Sequence, residues 1–519
     1  MNDCSFIILK RRIHLLTTLV DYLEDVAKSS AESTAYIWQD QPFSYSSLTE
    51  DINQAAGTLE SLGIQKGDRV ALLLGNSPEF VISYYSILRI GAAVVPMNPM
   101  YTASELEFIL SNSGAKAIVG IGKMKDPLLQ AKDKLSSLDH VILTGEGSDS
   151  SSGYISFSSL LDNNQTPMGS VSLTKEDTAV ILYTSGTTGR PKGAILTHEN
   201  VLSNALATAE AMEYEEKDVS MAVLPMFHVF CMTVSMNASL IKGVPIVIMP
   251  AFSPKETVTA IQKHQVTLFA GVPTMYNFIN QMPDIGKEEL SSIRLCISGG
   301  ASMPVELLKR FQERFDVPIL EGYGLSESAP VTAFNPLHGE RKAGSVGVNF
   351  PGIENKVVDP EDREVPPNEV GELIVKGPNV MKGYLNLPEE TSMTIRDGWL
   401  HTGDLARMDE EGYIYIVDRK KDLIIVGGYN VYPREVEEVI YQHPDVVEAA
   451  VLGEPDEAYG EKIKAFVVTK NKELTTEDMH GFCSQHLAKF KLPADIEFIE
   501  ELPKNATGKI LKRALKTSS

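Results

Sequence analysis

The first part of the chain alternates buried-strand runs with stretches of helical spacing. Asp68 to Leu74 (DRVALLL) is a strand run that stops at Gly75-Asn76-Ser77. Pro78 to Ile90 carries apolar residues at helical spacing, and Gly91 ends it. Ala92 to Pro96 (AAVVP) is the next strand. The pattern returns at Ala117 to Gly120, Thr178 to Leu182, Pro245 to Met249, Leu268 to Gly271 and Ile293 to Ile297. Short apolar runs bounded by turn residues, with helices between them, predict parallel α/β layers.

From about Asn355 the pattern changes to short strands and turns, as in Gly371 to Lys376 (GELIVK) and Gly412 to Val417 (GYIYIV). A small β subdomain is expected there. After Arg419 a compact α/β unit follows. Pro433 suits the first position of a helix (PREVEEVIYQH). Strands near Val446 to Leu452 and Ile463 to Thr469 come next, then a helix near Thr476 to Leu487. A chain of 519 residues exceeds what one hydrophobic core usually organises. The expected division is a large domain over 1–418 and a small one over 419–519, with the junction at Asp418 to Lys421.

The N-terminus adds one amphipathic stretch, Leu15 to Val26 (LLTTLVDYLEDV), expected to dock as a helix on the domain surface. Before it, apolar Phe6 to Leu9 precedes Lys10, Arg11 and Arg12, the reverse of a signal peptide's order. No stretch approaches the roughly 20 apolar residues that span a bilayer.

Charge narrows the choice of partner. Lys plus Arg total 47 against 69 Asp plus Glu, a formal net charge of −22. That balance argues against general nucleic-acid affinity, which depends on neutralising phosphates. It leaves room for a local basic site that takes an anionic substrate. The four cysteines, Cys4, Cys231, Cys296 and Cys483, are far apart and form no CxxC pair. They suit a reducing cytoplasm better than a disulfide framework or a zinc site.

The strongest chemical signal is Leu182 to Gly193, LYTSGTTGRPKG. An apolar strand runs into Thr184, Ser185, Gly186, Thr187, Thr188 and Gly189, then Lys192. Glycines let backbone N–H groups approach an anion, hydroxyls add donors, and Lys192 supplies a point charge for a phosphate. A Walker A loop needs Gly-Lys-Ser/Thr at its end, whereas Pro191 and Gly193 flank this lysine. Pro191 also argues against a helix leaving the loop directly.

With this loop the chain resembles the adenylate-forming superfamily of acyl-CoA synthetases, luciferases and peptide-synthetase adenylation domains. The family's other motifs follow in order: Pro225-Met226-Phe227-His228, Glu321-Gly322-Tyr323-Gly324-Leu325-Ser326-Glu327, Thr402-Gly403-Asp404, Asp418-Arg419-Lys420-Lys421-Asp422, and Pro503-Lys504-Asn505-Ala506-Thr507-Gly508-Lys509. Among members, it looks most like bacterial long-chain fatty-acid–CoA ligases. Residues 1–14 fall outside the resemblance, as an extension or an upstream start.

The resemblance implies an α/β fold with layered subdomains and a small β subdomain in the large domain, and a mobile small C-terminal domain. It implies ATP, Mg²⁺ and CoA as co-substrate, with the β- and γ-phosphates in the Thr184 to Lys192 loop. Glu327 would help hold Mg²⁺. Asp404, in a Thr-Gly-Asp turn, would accept from the ribose hydroxyls, and Arg419 would support the ribose. Gly299, Gly300 and Ala301 would wall the adenine on one side, Gly322 and Tyr323 on the other, with the Tyr323 ring stacked on the base. His228 would meet the carboxylate end of the acyl group. Lys509 would stabilise the adenylation transition state, Lys421 would be the hinge, and Gly427-Gly428 would pass the pantetheine arm. Outside these motifs, a lone His, Tyr or Lys of this kind would be a core or surface residue.

Phe227 to Pro250 holds no acidic residue. A buried substrate ammonium would therefore lack a partner, which disfavours an amino acid. Met226, Met232 and Met236 suit an apolar tail. A fatty acid is the expected substrate and an aryl, cinnamate-like acid the alternative. A stand-alone adenylation protein that loads a carrier protein also fits these residues. A non-catalytic acyl-AMP binder fits them less well, because Lys192, Glu327, Asp404 and Lys509 are all intact. The expected location is cytoplasmic; a homodimer and peripheral membrane contact are compatible with the sequence.

Overall fold

A computed structural model gives the fold; it describes residues 17–145, 153–162, 167, 169, 171–185, 190–505 and 508–516. Among these residues the chain forms four sheets. The predicted runs become strands at Arg69–Leu73, Ala93–Pro96, Ala117–Ile121, Ile246–Ile248, Leu268–Gly271 and Leu295–Ser298, and Pro78–Arg89 is a helix.

The first sheet orders its strands Gly383–Tyr384, Pro191–Thr197, Thr178–Ser185, Ala93–Pro96, Arg69–Leu73, Ala117–Ile121, His140–Thr144 and Ile155–Ser156. Its middle is parallel, as continuous apolar runs require when both faces are covered. The second sheet runs from Val348–Asn349 through Val331–Phe334, Ile319–Gly324, Leu295–Ser298, Leu268–Gly271, Ser220–Ala222 and Ile246–Ile248 to the N-terminal hairpin Thr34–Trp38 and Gln41–Ser44. That hairpin joins by parallel pairing of Tyr36 with Ile246, a partner more than two hundred residues away that no local pattern indicates. Helices between the two sheets share one hydrophobic core, which contains Phe80, Tyr84, Tyr85, Val201 and Met232.

Asn76 ties the two sheets together. It follows the Arg69–Leu73 strand of the first sheet and is buried. Its amide donates to the carbonyls of Ala222 (3.2 Å), Leu224 (2.8 Å) and Met249 (3.0 Å), which lie at strand ends of the second. Its Oδ1 accepts from the Met226 N–H at 2.7 Å. The loop that carries His228 is thereby fixed to both sheets.

The expected β subdomain is the third sheet, built on Glu354–Val358, Gly371–Lys376 and the long strand Trp399–Met408, which pairs with Ile414–Arg419. The fourth sheet (Ile424–Val426, Tyr429–Val431, Val446–Asp456, Gly460–Thr469, Asp495–Phe498) belongs to a small C-terminal domain with its own core, including Val436, Ile440, Val451 and Met479. The N-terminal amphipathic helix spans Leu19–Ser29, begins with a Thr18 capping box, and buries Leu19, Val20 and Leu23.

Asn76→Leu should leave the Leu224 and Met249 carbonyls and the Met226 N–H without this partner, whereas the Ala222 carbonyl keeps the Met249 N–H, a cost of roughly 3 kcal/mol or more. Thermal unfolding should show a clearly lower midpoint; an unchanged midpoint would mean that these bonds carry no weight.

Candidate active site

The phosphate-loop sequence is a β-hairpin. Thr178–Ser185 pairs antiparallel with Pro191–Thr197, and Thr184 faces Lys192 across the ladder. A strand thus leaves the loop at Pro191, not a helix. Gly186, Thr187, Thr188 and Gly189 lie outside the described residues. Glu327 sits in a short 3₁₀ turn, Ser326–Ser328, beside this hairpin. Its Oε1 accepts from Thr184 Oγ1 (3.2 Å) and from the Tyr384 hydroxyl (3.0 Å). Its carbonyl accepts from the Met381 N–H at 2.8 Å. The turn requires a glycine at Gly324, where a Cβ would lie 2.2 Å from the Pro330 carbonyl oxygen.

Tyr384 is the residue that sequence reasoning missed. It lies on the edge strand Gly383–Tyr384, which pairs with Ala194 and Ile195. Its hydroxyl reaches Glu327 and its ring lies 5.3 Å from the Lys192 ammonium. A tyrosine in a turn-rich stretch gives no local signal; the strand pairing is what brings it between the two charged groups. Among the described residues, no three His, Cys, Asp or Glu side chains converge as a protein-only metal cage. One carboxylate beside hydroxyls and a lysine instead matches a site where Mg²⁺ is shared with substrate phosphates.

A second group of charges assembles around Asp404. The expected Thr-Gly-Asp turn is in fact part of the ten-residue strand Trp399–Met408, and Asp404 stands opposite Arg419 in the ladder. The sheet supplies the pairing that a turn would not. Buried Asp404 accepts from the Tyr323 hydroxyl at 2.5 Å, and Arg419 Nε lies 3.7 Å from its other oxygen. The Tyr323 phenol is raised well above its ordinary range by burial and by Asp404, so it stays a donor. Gly299 brings the two expected adenine walls side by side: a Cβ there would meet the Phe230 ring at 3.3 Å and the Gly322 carbonyl at 3.7 Å. Gly300 and Ala301 continue from the Leu295–Ser298 strand. Glu321 turns away from them. Its buried carboxyl accepts from the Met303 N–H at 3.0 Å, and burial raises it to about 7.

Lys509 comes from the other end of the chain. Gly508 lies against Thr274 and Val272 of the large domain, within about 3.0 Å of the position a Cβ would take. Burial lowers the Lys509 ammonium to about 8, with Arg419 and Lys421 adding repulsion and Asp404 and Asp422 opposing them. The His228 ring is lowered to about 4, first by burial and then by the Lys509 charge. His228 is therefore neutral at neutral pH. Its Nδ1 accepts from the Phe230 N–H at 3.3 Å, which leaves the proton on Nε2. Behind it, Cys231–Asn237 is a π-helix, and Met226, Met232 and Met236 are fully buried core residues.

The expected glycine pair lies apart from this group. Gly427 and Gly428 form the two-residue turn between Ile424–Val426 and Tyr429–Val431, with φ of +56° and +85°, and are exposed. Positive φ at both places is what such a hairpin turn requires. Lys421 is exposed in the link between the third and fourth sheets. A groove of about 310 Å³ beside the N-terminal helix, lined by Val20, Leu23, Ile52 and Tyr85, shares no residue with the charged cluster.

The same fold occurs in known proteins. Residues 23–385 match the AMP-binding enzyme family and residues 435–509 match the AMP-binding enzyme C-terminal domain. The chain is 40% identical to a long-chain-fatty-acid–CoA ligase of Bacillus subtilis, over 96% of this chain and 94% of the relative. It superposes on ATP-bound MatB from Rhodopseudomonas palustris with a TM-score of 0.91 at 33% identity, covering 97% of this chain and 98% of that one. It superposes on the Bacillus subtilis o-succinylbenzoate CoA synthetase, solved with its acyl-adenylate intermediate, with a TM-score of 0.83 at 30% identity, covering 95% and 97%. The first matched segment takes in the phosphate hairpin, Glu327 and Tyr384, the second ends on Lys509, and the chain belongs to the AMP-binding enzyme family.

Proposed function

We propose that this protein activates a fatty acid with ATP, forming acyl-AMP and pyrophosphate, and then transfers the acyl group to the thiol of CoA, releasing AMP. The observation that carries the reading is the meeting of Lys509 with Asp404, Arg419 and His228, together with a hairpin on which Thr184 and Lys192 face each other next to Glu327 and Tyr384. The first step brings a carboxylate to the α-phosphate, so two anions must approach. Lys192 offsets charge at the β- and γ-phosphates, while Asp404 and Arg419 hold the ribose. Glu327, steadied by Thr184 and Tyr384, has the hard oxygen that Mg²⁺ prefers; the ion would neutralise the phosphates when bound. The His228 Nε2–H would hold the acid's carboxylate, and Lys509 would stabilise the charge that builds between it and the α-phosphate.

An apolar acid suits the segment behind His228. Phe227 to Pro250 has no carboxylate to pair with an ammonium, and its Met232 and Met236 are buried. The long-chain ligase of Bacillus subtilis, alike over nearly the full length, supports a fatty acid over an aryl acid. CoA transfer needs a second orientation of the small domain over 419–519. Gly427-Gly428 is exposed while Gly508, beside half-buried Lys509, packs against Thr274 and Val272 of the large domain, so one orientation does not bring both to the site. Lys421 is the hinge where a dihedral change would exchange them.

Pyrophosphate release should require Mg²⁺ and a fatty acid, and acyl-CoA should appear only with CoA added. A screen in which amino or aryl acids gave the signal and fatty acids none would overturn the substrate assignment.

The pH dependence follows from Lys509. Its protonated form is the one needed, and its pKa lies below the ordinary lysine range. The rate constant for adenylate formation at subsaturating ATP should therefore fall as pH rises through about 8. Lys509→Arg should move that limb upward, because a guanidinium stays protonated. A profile with the same limb in both proteins would assign it to another group.

A further inference from the structure

The Pro433–Tyr441 helix of the small domain meets the large domain through its polar face. Its second residue, Arg434, donates its backbone N–H to Asp418 Oδ2 at 3.0 Å. Asp418 lies on the Ile414–Arg419 strand of the third sheet, so a large-domain carboxylate caps a small-domain helix. One turn further along, Glu438 Oε2 accepts the N–H of Val305 at 3.3 Å. Val305 is the first residue of the Val305–Phe315 helix of the large domain, whose preceding Pro304 supplies no side-chain cap. A small-domain carboxylate therefore caps a large-domain helix in return. Arg434 closes the group: its Nη1 donates to the Ile416 carbonyl at 2.5 Å, and its Nε lies 3.8 Å from Glu438 Oε1. The junction also holds the Asn277 amide, which donates to the Val447 carbonyl at 3.1 Å, and the Lys504 ammonium over the Phe278 ring.

We infer that Asp418 and Glu438 form reciprocal helix caps that latch the small domain in the orientation that packs the Gly508-Lys509 turn against the large domain, and that Glu438 is a positioning residue for adenylate formation. The latch rests on the two-orientation reading proposed for CoA transfer. Rotation at Lys421 leaves Asp418 with the third sheet and carries the Pro433–Tyr441 helix away, so both caps break together. Each carboxylate also meets the positive end of a helix dipole, which favours the docked state. The latch lies next to the nucleotide walls. Gly299 to Ala301 lead through Met303 to the capped Val305 N–H, and the Met303 N–H is held by Glu321, which directly precedes Gly322 and Tyr323. Displacement of these walls is felt at the amide that Glu438 holds.

The test is single-turnover kinetics of the two half-reactions in the full-length protein. Fatty acid, ATP and Mg²⁺ report adenylate formation; purified acyl-AMP and CoA report thioester formation. Glu438→Ala should slow adenylate formation about fivefold, the factor one lost helix cap commonly brings. Thioester formation should be unchanged or faster, because the latch opposes the second orientation. Glu438→Gln keeps an acceptor oxygen and should fall between the wild type and the alanine variant. Equal slowing of both steps in Glu438→Ala, or no change in either, would overturn the latch. Lys509→Ala, run in parallel, separates this failure from a deeper one. If Lys509→Ala splits the two steps and Glu438→Ala does not, the latch alone is wrong. If Lys509→Ala fails to split them, the two-orientation reading falls, and the latch with it.

Discussion

The arrangement turns on one constraint: a lysine ammonium from the last dozen residues is drawn half-buried into the protein beside two other cations. Burial and the charges of Arg419 and Lys421 disfavour the ammonium, and only Asp404 and Asp422 oppose them. Such a site favours an anion, because a desolvated cation gains from compensating charge. The phosphates of a nucleotide would supply it. Asp404 cannot do so alone, since it already accepts from Tyr323 and faces Arg419. The surplus of positive charge around Lys509 is the feature that suits the site to a triphosphate.

Much of the rest of the fold serves that meeting. The two large sheets are tied at Asn76, which fixes the loop of His228. The third sheet sets Asp404 opposite Arg419 by strand register. The small domain approaches through polar contacts rather than through a shared apolar core, and its hydrophobic cluster is its own. A junction held by hydrogen bonds and ion pairs can be exchanged for another at modest cost, as domain movement requires.

Strand runs such as Val70–Leu73 and Leu268–Gly271 are legible in the sequence because continuous apolar stretches between turn residues have few alternatives. The motif residues are legible through resemblance, which no periodicity argument could replace for Lys509 or Glu327. Three features are not. The Thr34–Trp38 strand pairs with Ile246–Ile248, a long-range register that local pattern cannot encode. Thr-Gly-Asp is turn-like, but at Asp404 strand pairing overrides that preference. Tyr384 gains its place only from the edge pairing of Gly383–Tyr384 with the phosphate hairpin. The methionines that suit an apolar tail by composition are buried core, so their flexibility says less about the tail than the missing carboxylate does.

The central claim is that Lys509 belongs to the first chemical step and not to the second. The most direct measurement compares Lys509→Ala with the wild type in single turnover, once from fatty acid with ATP and once from supplied acyl-AMP with CoA. Adenylate formation should slow by about 10²–10³, the usual cost of one preorganised transition-state contact, while thioester formation stays close to the wild-type rate. Equal impairment of both steps would contradict the account.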